Sequence, residues 1–417
     1  MRRRRIGAFV IGLAAIALVA AACGEGEAEP EFGDLGGVVV EPGSGIRIAT
    51  LEAISGSVAN LGADQVRAIQ IAIDDFGQIH GHDVFLSVED DLCLSAGGTT
   101  GASRIISDPS IIGVVGTSCS GAAVPAADII TGAGRVLISG SNTSPRLTST
   151  GNLTGNPVKG EAWHEGYFRT AHNDEYQGDG AGQFISEVLG ATKVAFIHDG
   201  DPYTEGLATQ AKEAVERRGG QAVFFTGVAP TETDVRPVLT EVSASGAEVL
   251  FFPVFQPLGD FIAQQAQEVL GFEGITLMGA DGLLSQTFVT LDFTLGMYFS
   301  GPARDPAQKA AYDDLVAKYE AAFNEKPVQA FHAHAYDAAT VLLTAIRDVG
   351  QPQEDGSLNV DLRALRDYIY AVANFQGLTG VITCNEFGDC ASPRIGVYQN
   401  TDPTAGIFAT LGNVIWP

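Results

Sequence analysis

Positive charge is scarce in this chain. Its 417 residues carry 24 Lys and Arg against 50 Asp and Glu, a net charge of −26. A nucleic-acid partner is thereby excluded, because a protein that grips phosphate backbones needs a basic footprint. Catalytic signatures are missing as well. There is no GxxxxGK[ST] phosphate loop, no GxSxG elbow and no HExxH pair. Neither an enzyme nor a cofactor is therefore expected. No two of the five cysteines have CxxC spacing, which removes the commonest thiolate metal site. His80/His82 and His332/His334 are spaced i, i+2 and would share a face on a strand. With no acidic third ligand near them in sequence, no metal is expected. Apart from Ile6 to Ala22, no apolar run is long enough to span a membrane.

The one long apolar run follows Arg2, Arg3, Arg4 and Arg5 and ends in Val19-Ala20-Ala21-Ala22-Cys23-Gly24. A basic block, an apolar stretch and small residues before a cleavage point describe an export signal over residues 1–22. The last residues resemble a bacterial lipobox, with Ala20 where leucine is usual. That resemblance implies a lipidated Cys23 as the first mature residue and an extracytoplasmic protein held at the membrane. An ordinary secretory signal is the plainer alternative. Residues 23–44 are acidic and rich in Gly and Pro, and read as a tether. Beyond Cys23 four cysteines remain, Cys93, Cys119, Cys384 and Cys390. An even number suits pairing in an oxidising compartment, with buried free thiols as the other reading.

From Ile46 onward short apolar strands alternate with helical periodicity. Strands are predicted at 46–51, 84–88, 111–115 and 136–138, and again at 193–197, 222–225, 249–252 and 275–278. Helices are predicted between them, including 122–130 and 204–218, the latter closed by Gly219-Gly220. Two further helices are expected at 307–323 and 335–349, and a strand-rich tail from about Gly380. Near-continuous apolar strands joined by helices imply parallel sheets covered on both faces. Two such runs imply two similar α/β lobes.

Small polar residues gather where these strands should turn into helices. Gly116-Thr117-Ser118-Cys119-Ser120-Gly121 is one such turn and Ser139-Gly140-Ser141-Asn142-Thr143-Ser144-Pro145 another. In a doubly wound sheet both lie at the carboxyl edge, where ligands bind. The free N–H groups of a helix N-terminus hold a carboxylate well, and Ser120 adds a hydroxyl. Plain N-capping by Ser120 would account for the same residue.

Several segments then resemble the periplasmic branched-chain amino-acid-binding proteins, the type I solute-binding proteins of ABC importers. They are Ile54-Ser55-Gly56 with Leu61-Gly62, Glu89-Asp90-Asp91-Leu92-Cys93, the two turns above, and Phe168-Arg169-Thr170 with Asp174 and Gln177-Gly178. Asp199 with Tyr203-Thr204-Glu205-Gly206, and Met278-Gly279-Ala280-Asp281-Gly282, complete the set. The resemblance runs from Ile46 to the C-terminus. It implies two doubly wound lobes joined by a three-strand hinge. Lobe 1 would comprise 45–171 and 301–376, lobe 2 172–300 and 377–417, with crossings near Ala171, Ser300 and Gln376.

It also implies a site. Ser120 and Thr143 would hold a ligand carboxylate, Ser141 would offer backbone groups, and Thr143 and Asp281 would meet an ammonium. Tyr203 and Phe255 would cover the ligand side chain, with Leu61 and Phe331 beside them. A Cys93–Cys119 bridge is implied by the resemblance. Cys384 and Cys390 have no counterpart in the type members, but the turn between them makes a bridge plausible. Asp281 stands where the family has glutamate, Phe255 where tyrosine is common, and Ser141-Asn142 where two alanines are usual. The expected partners are a small amino-acid-like ligand and the permease and ATPase subunits of an ABC importer, with the protein a monomer. A ligand-binding sensor for an amide, urea or aromatic acid is the alternative.

Overall fold

The computed structural model describes residues 30–417. The predicted export signal and Cys23 lie outside the described residues. Within Phe32–Pro417 the chain forms two lobes, each built on its own sheet.

The first lobe holds five parallel strands in the order Val84–Asp90, Ile46–Glu52, Ile111–Gly116, Leu137–Ser139, Tyr167–Arg169. Alternate residues of one strand serve opposite cores, as the two-residue strand period requires. Ile46 and Ile48 pack with Ile69 and Ile73 of helix Ala59–Phe76 and with Leu342 and Ile346 of helix His332–Val349. Ala49 and Leu51 pack instead with Ile105 of Ser95–Ile106 and Ala126 and Ile130 of Ser120–Gly132. Burial on both faces is why these strands read as continuous apolar runs.

The second lobe repeats the plan. Its strands run in the order Gln221–Gly227, Lys193–His198, Val249–Phe251, Thr276–Gly279, Tyr298–Pro302, all parallel. Ile395–Gln399 and Val414–Trp416 then extend the sheet antiparallel. Ala195, Ile197 and Leu250 face helices Arg236–Ala244 and Leu258–Ala266, while Val194, Phe196 and Phe251 face Pro202–Arg217.

Two boundaries differ from the expectation. The predicted tether contains a strand, Gly37–Val40, paired antiparallel with Leu358–Asp361. Val38 and Val40 are 5% and 4% exposed and belong to the first lobe's core. Three consecutive valines outweigh the acidic, Gly-rich composition around them. The other difference is at the third crossing. Residues 381–390 stay with the first lobe: Ile382, Cys384 and Cys390 are in its core. The backbone of Cys390 donates to the Arg169 carbonyl, and that of Arg169 to the Gly388 carbonyl. The chain enters the second lobe only between this hairpin and Ile395, well after Gln376.

Candidate functional site

The carboxyl edge of the first sheet ends in the turn that leads from Ile111–Gly116 into helix Ser120–Gly132. The N-cap residue of this helix is Cys119, and no side chain caps it. Ser120 is the first helical residue, not the capping one, and its hydroxyl accepts from the Ser144 N–H at 3.3 Å. Of the leading N–H groups of this helix, that of Gly121 is taken by Asp201 of the other lobe, and Ser120 stands at the cleft. Ser118 is fixed on every side. Its N–H donates to Asp91 Oδ2 (2.8 Å), its carbonyl accepts from the Ser141 hydroxyl (2.8 Å), and its own hydroxyl donates to Glu52 Oε2 (2.5 Å).

The second lobe brings an acid to the opposite side. Asp281 opens the short helical turn Asp281–Leu283 after strand Thr276–Gly279 and is 4% exposed. Its Oδ1 accepts from Gln177 Nε2 at 2.5 Å and from the Tyr203 hydroxyl at 3.1 Å. The Tyr203 oxygen in turn accepts from the Gly282 N–H at 3.1 Å. Burial pushes the Asp281 carboxyl up to about 6. Tyr203 stacks at a tilt on Phe255, ring centroids 5.2 Å apart. Asp201, the N-cap of Pro202–Arg217, reaches across to the first lobe. A side chain at Gly121 would place its Cβ 2.2 Å from Asp201 Oδ2, so only glycine permits this approach.

Between the lobes lies a cleft of about 280 Å³. Seven of the eight residues predicted to touch ligand line it: Leu61, Ser120, Ser141, Tyr203, Phe255, Asp281 and Phe331. Ser118, Cys119 and Gly282 join them. Thr143 is the exception. It is buried beside the cleft, its carbonyl accepting the Asp174 N–H at 2.9 Å and its hydroxyl facing the Asp174 carboxyl.

Sequence reasoning placed Asp174 and Gln177 at the lobe crossing and gave them no role. Asp174 is fully buried at the start of helix Asp174–Gln183, and neither carboxylate oxygen has a hydrogen-bond partner. Burial first, and the charge of Asp281 second, push its carboxyl well above the usual range. Gln177 bridges Asp281 to the buried His172, whose ring burial pulls down to about 4. The signal available was an acid and an amide in the first turns of a helix that begins at a hinge. A larger recess of about 400 Å³ beside the hinge, around Arg304, Tyr312 and His334, has no carboxylate in its wall and does not match the predicted site.

Both cysteine pairs are bridged, Cys93 to Cys119 and Cys384 to Cys390. Cys119 lines the cleft, so the first bridge braces the ligand turn. Removing both cysteines of a pair should cost about 3.5 kcal/mol for the 26-residue loop and about 2 kcal/mol for the 6-residue loop, on chain entropy. Chemical denaturation of the two double-serine variants measures this. Equal losses would show that loop length does not set the effect.

The histidine pairs do not converge on a metal site. His80 Nε2 bonds the Arg347 carbonyl and His82 Nδ1 that of Ser44, each at 2.7 Å. His332 and His334 lie on a helix, where i, i+2 positions diverge. Among the described residues no group of three His, Cys, Asp or Glu is arranged to hold a metal ion, and no helix is long and apolar enough to cross a membrane.

Known proteins share this architecture. A Leu/Ile/Val-binding protein homolog of Brucella melitensis is 28% identical over 86% of this chain and 92% of its own length. The substrate-binding protein of a branched-chain amino acid transporter from Streptococcus pneumoniae, solved with isoleucine, has a TM-score of 0.72 at 23% identity, over 90% of this chain and all of its own. A solute-binding protein from Rhodopseudomonas palustris, solved with 4-hydroxybenzoate, has a TM-score of 0.71 at 18% identity, over 85% of this chain and 93% of its own. The periplasmic binding protein family matches residues 45–385. With two doubly wound lobes and a polar cleft between them, this chain belongs to that family and is a solute-binding protein, not an enzyme.

Proposed function

We propose that this protein is the extracytoplasmic binding component of an ABC importer, and that it captures a small aliphatic α-amino acid between its lobes. One observation carries the reading: the cleft sets the Ser120 hydroxyl, in the first turn of a helix, on one lobe and a buried carboxylate on the other. A zwitterion satisfies both. Its carboxylate would meet the hydroxyl and N–H at Ser120, and its ammonium would meet Asp281. Leu61, Phe255 and Phe331 offer an apolar wall to an aliphatic side chain, which agrees with the names of the relatives. An aromatic acid would leave the Asp281 carboxylate without a counter-charge, so the benzoate-type ligands of structural neighbours fit less well. Because both lobes touch one molecule, the ligand would favour the closed form that a permease receives.

Thermal shift and calorimetry against aliphatic amino acids, amides, urea and benzoates test the reading. A cognate ligand at a hundred times its Kd should add about 2.7 kcal/mol of stability. Binding of benzoate with no response to leucine, isoleucine or valine would overturn it.

We further propose that Cys23 carries lipid. The wild-type protein should partition into detergent from its host's membranes, and Cys23→Ser should move it to the soluble fraction. A wild-type product cleaved elsewhere and already soluble removes the anchor.

A further inference from the structure

Behind the anion-binding turn lie two buried acids. Glu52 ends strand Ile46–Glu52, and Asp91 follows strand Val84–Asp90; both are 0% exposed. Both hold the same residue. Asp91 takes the Ser118 N–H at 2.8 Å and, with its other oxygen, the Cys93 N–H at 2.6 Å. Glu52 takes the Ser118 hydroxyl at 2.5 Å, and that hydroxyl accepts from the Ala53 N–H at 2.9 Å and from Gln65 Nε2 at 3.4 Å.

The two acids are not equivalent. Asp91 takes one backbone N–H on each oxygen, which favours its anion, while burial pushes its carboxyl up to about 7. Glu52 takes the Ser118 hydroxyl on Oε2, and among the described residues the one other donor beside its carboxyl is the Thr50 hydroxyl, so no N–H and no cation reaches it. A buried carboxylate served by two hydroxyls alone is costly, and a proton on Glu52 removes the charge. The charged or titratable groups facing this pocket are Asp91, with Asp90 and Asp201 beyond it; Gln65, Thr50 and Ser118 are neutral. Among the described residues no Lys, Arg or His is within salt-bridge range of either acid, and a buried charge without a partner is costly. Burial and the neighbouring Asp91 also push the Glu52 carboxyl well up.

We propose that Glu52 is a positioning residue that keeps its proton at neutral pH, holds Ser118 in place, and so adds no negative charge behind the ligand's anionic end. This rests on the amino-acid reading of the cleft. A charge on Glu52 would repel the ligand carboxylate across the Ser118–Ser120 turn. Ionising Glu52 in alkali therefore weakens binding, and an uncharged amide at the same place does not.

Three measurements on the full chain test it. Glutamate labelled with ¹³C in its side-chain carboxyl should show a protonated-acid C=O band in the infrared at neutral pH, lost in Glu52→Gln. Aspartates do not contribute to the labelled signal. Unfolding from pH 6 to 9 should show wild type losing stability relative to Glu52→Gln as pH rises, because a group with a raised folded-state pKa stabilises only while protonated. Calorimetry with L-leucine should show Glu52→Gln within a few-fold of wild type at pH 7 and tighter than wild type at pH 9, while Glu52→Ala is at least tenfold weaker at both. Absence of the labelled band overturns the proposal. So does a Glu52→Gln variant as weak as Glu52→Ala at pH 7. If L-leucine binds wild type at no pH, the amino-acid reading fails, and the labelled band and the stability difference still decide the protonation of Glu52.

Discussion

Asp281→Asn should weaken an aliphatic amino acid by about 2–5 kcal/mol, roughly thirtyfold to several thousandfold in Kd. The carboxylate is buried and bonded only to neutral donors, Gln177 and Tyr203. Its charge is therefore available to a ligand ammonium. Asparagine keeps an oxygen for both donors, so the fold should persist. The free variant should be no less stable than wild type at pH 7, since burial makes the charge at 281 unfavourable there. The pH dependence follows in sign. A carboxyl raised to about 6 in the free protein is ionised above that pH and able to pair. Below it the proton must leave before the ammonium binds, so affinity falls up to tenfold per pH unit. Calorimetric titration from pH 7.5 to 5 should show this decline in wild type and a much flatter profile in Asp281→Asn. Equal affinity of the two proteins at pH 7 would mean that no ammonium sits at Asp281. Ser120→Ala should cost less, about 1–3 kcal/mol, because the helix N–H groups remain.

The sheets were legible because burial on both faces leaves one kind of residue in a strand. Ile111–Gly116 is buried at every position and was predicted to within one residue. The turns were legible for a topological reason: a doubly wound sheet puts the ends of its strands at one edge, so small polar residues there gather around one cleft. What escaped was non-local. Helix Ser120–Gly132 starts two residues before the predicted Ala122, because Ser120 and Gly121 look like turn residues when the neighbouring lobe is not in view. Thr143 gives its carbonyl to the Asp174 N–H at the start of the next lobe's helix. Nothing near Thr143 in sequence announces that contact. The hairpin at 381–390 was assigned to the wrong lobe for the same reason. Its tie is the bridge between Arg169 and Asp389, 220 residues apart.

That tie carries the second large effect. Arg169→Met should destabilise the protein by about 3–5 kcal/mol, the range for breaking one side of a buried ion pair. Arg169 is 0% exposed and uses its whole guanidinium. Nε donates to Asp389 Oδ1 at 2.6 Å, Nη1 to the carbonyls of Ser144 and Asn142 at 2.9 and 3.3 Å, and Nη2 to the Thr148 hydroxyl at 2.5 Å. Asp389 also accepts from the Thr148 and Ser149 hydroxyls. Methionine fills much of the volume and satisfies none of these groups. It leaves a mostly buried carboxylate without its counter-charge and the Asn142 carbonyl without its donor, which is where the cost arises. Adding Asp389→Asn removes the stranded charge, so the double variant should be more stable than Arg169→Met alone. The carbonyls of Asn142 and Ser144 belong to the second ligand turn, so ligand affinity should fall with stability in Arg169→Met. It should recover less than stability does in the double variant, because the turn is still unbraced. Denaturant unfolding and calorimetry on the three proteins separate the two effects. A loss below about 1 kcal/mol in Arg169→Met would place the ion pair among surface-like bridges that contribute little. The hinge would then owe its geometry to the backbone pairing of residues 388–390 with Arg169 and not to the side chain.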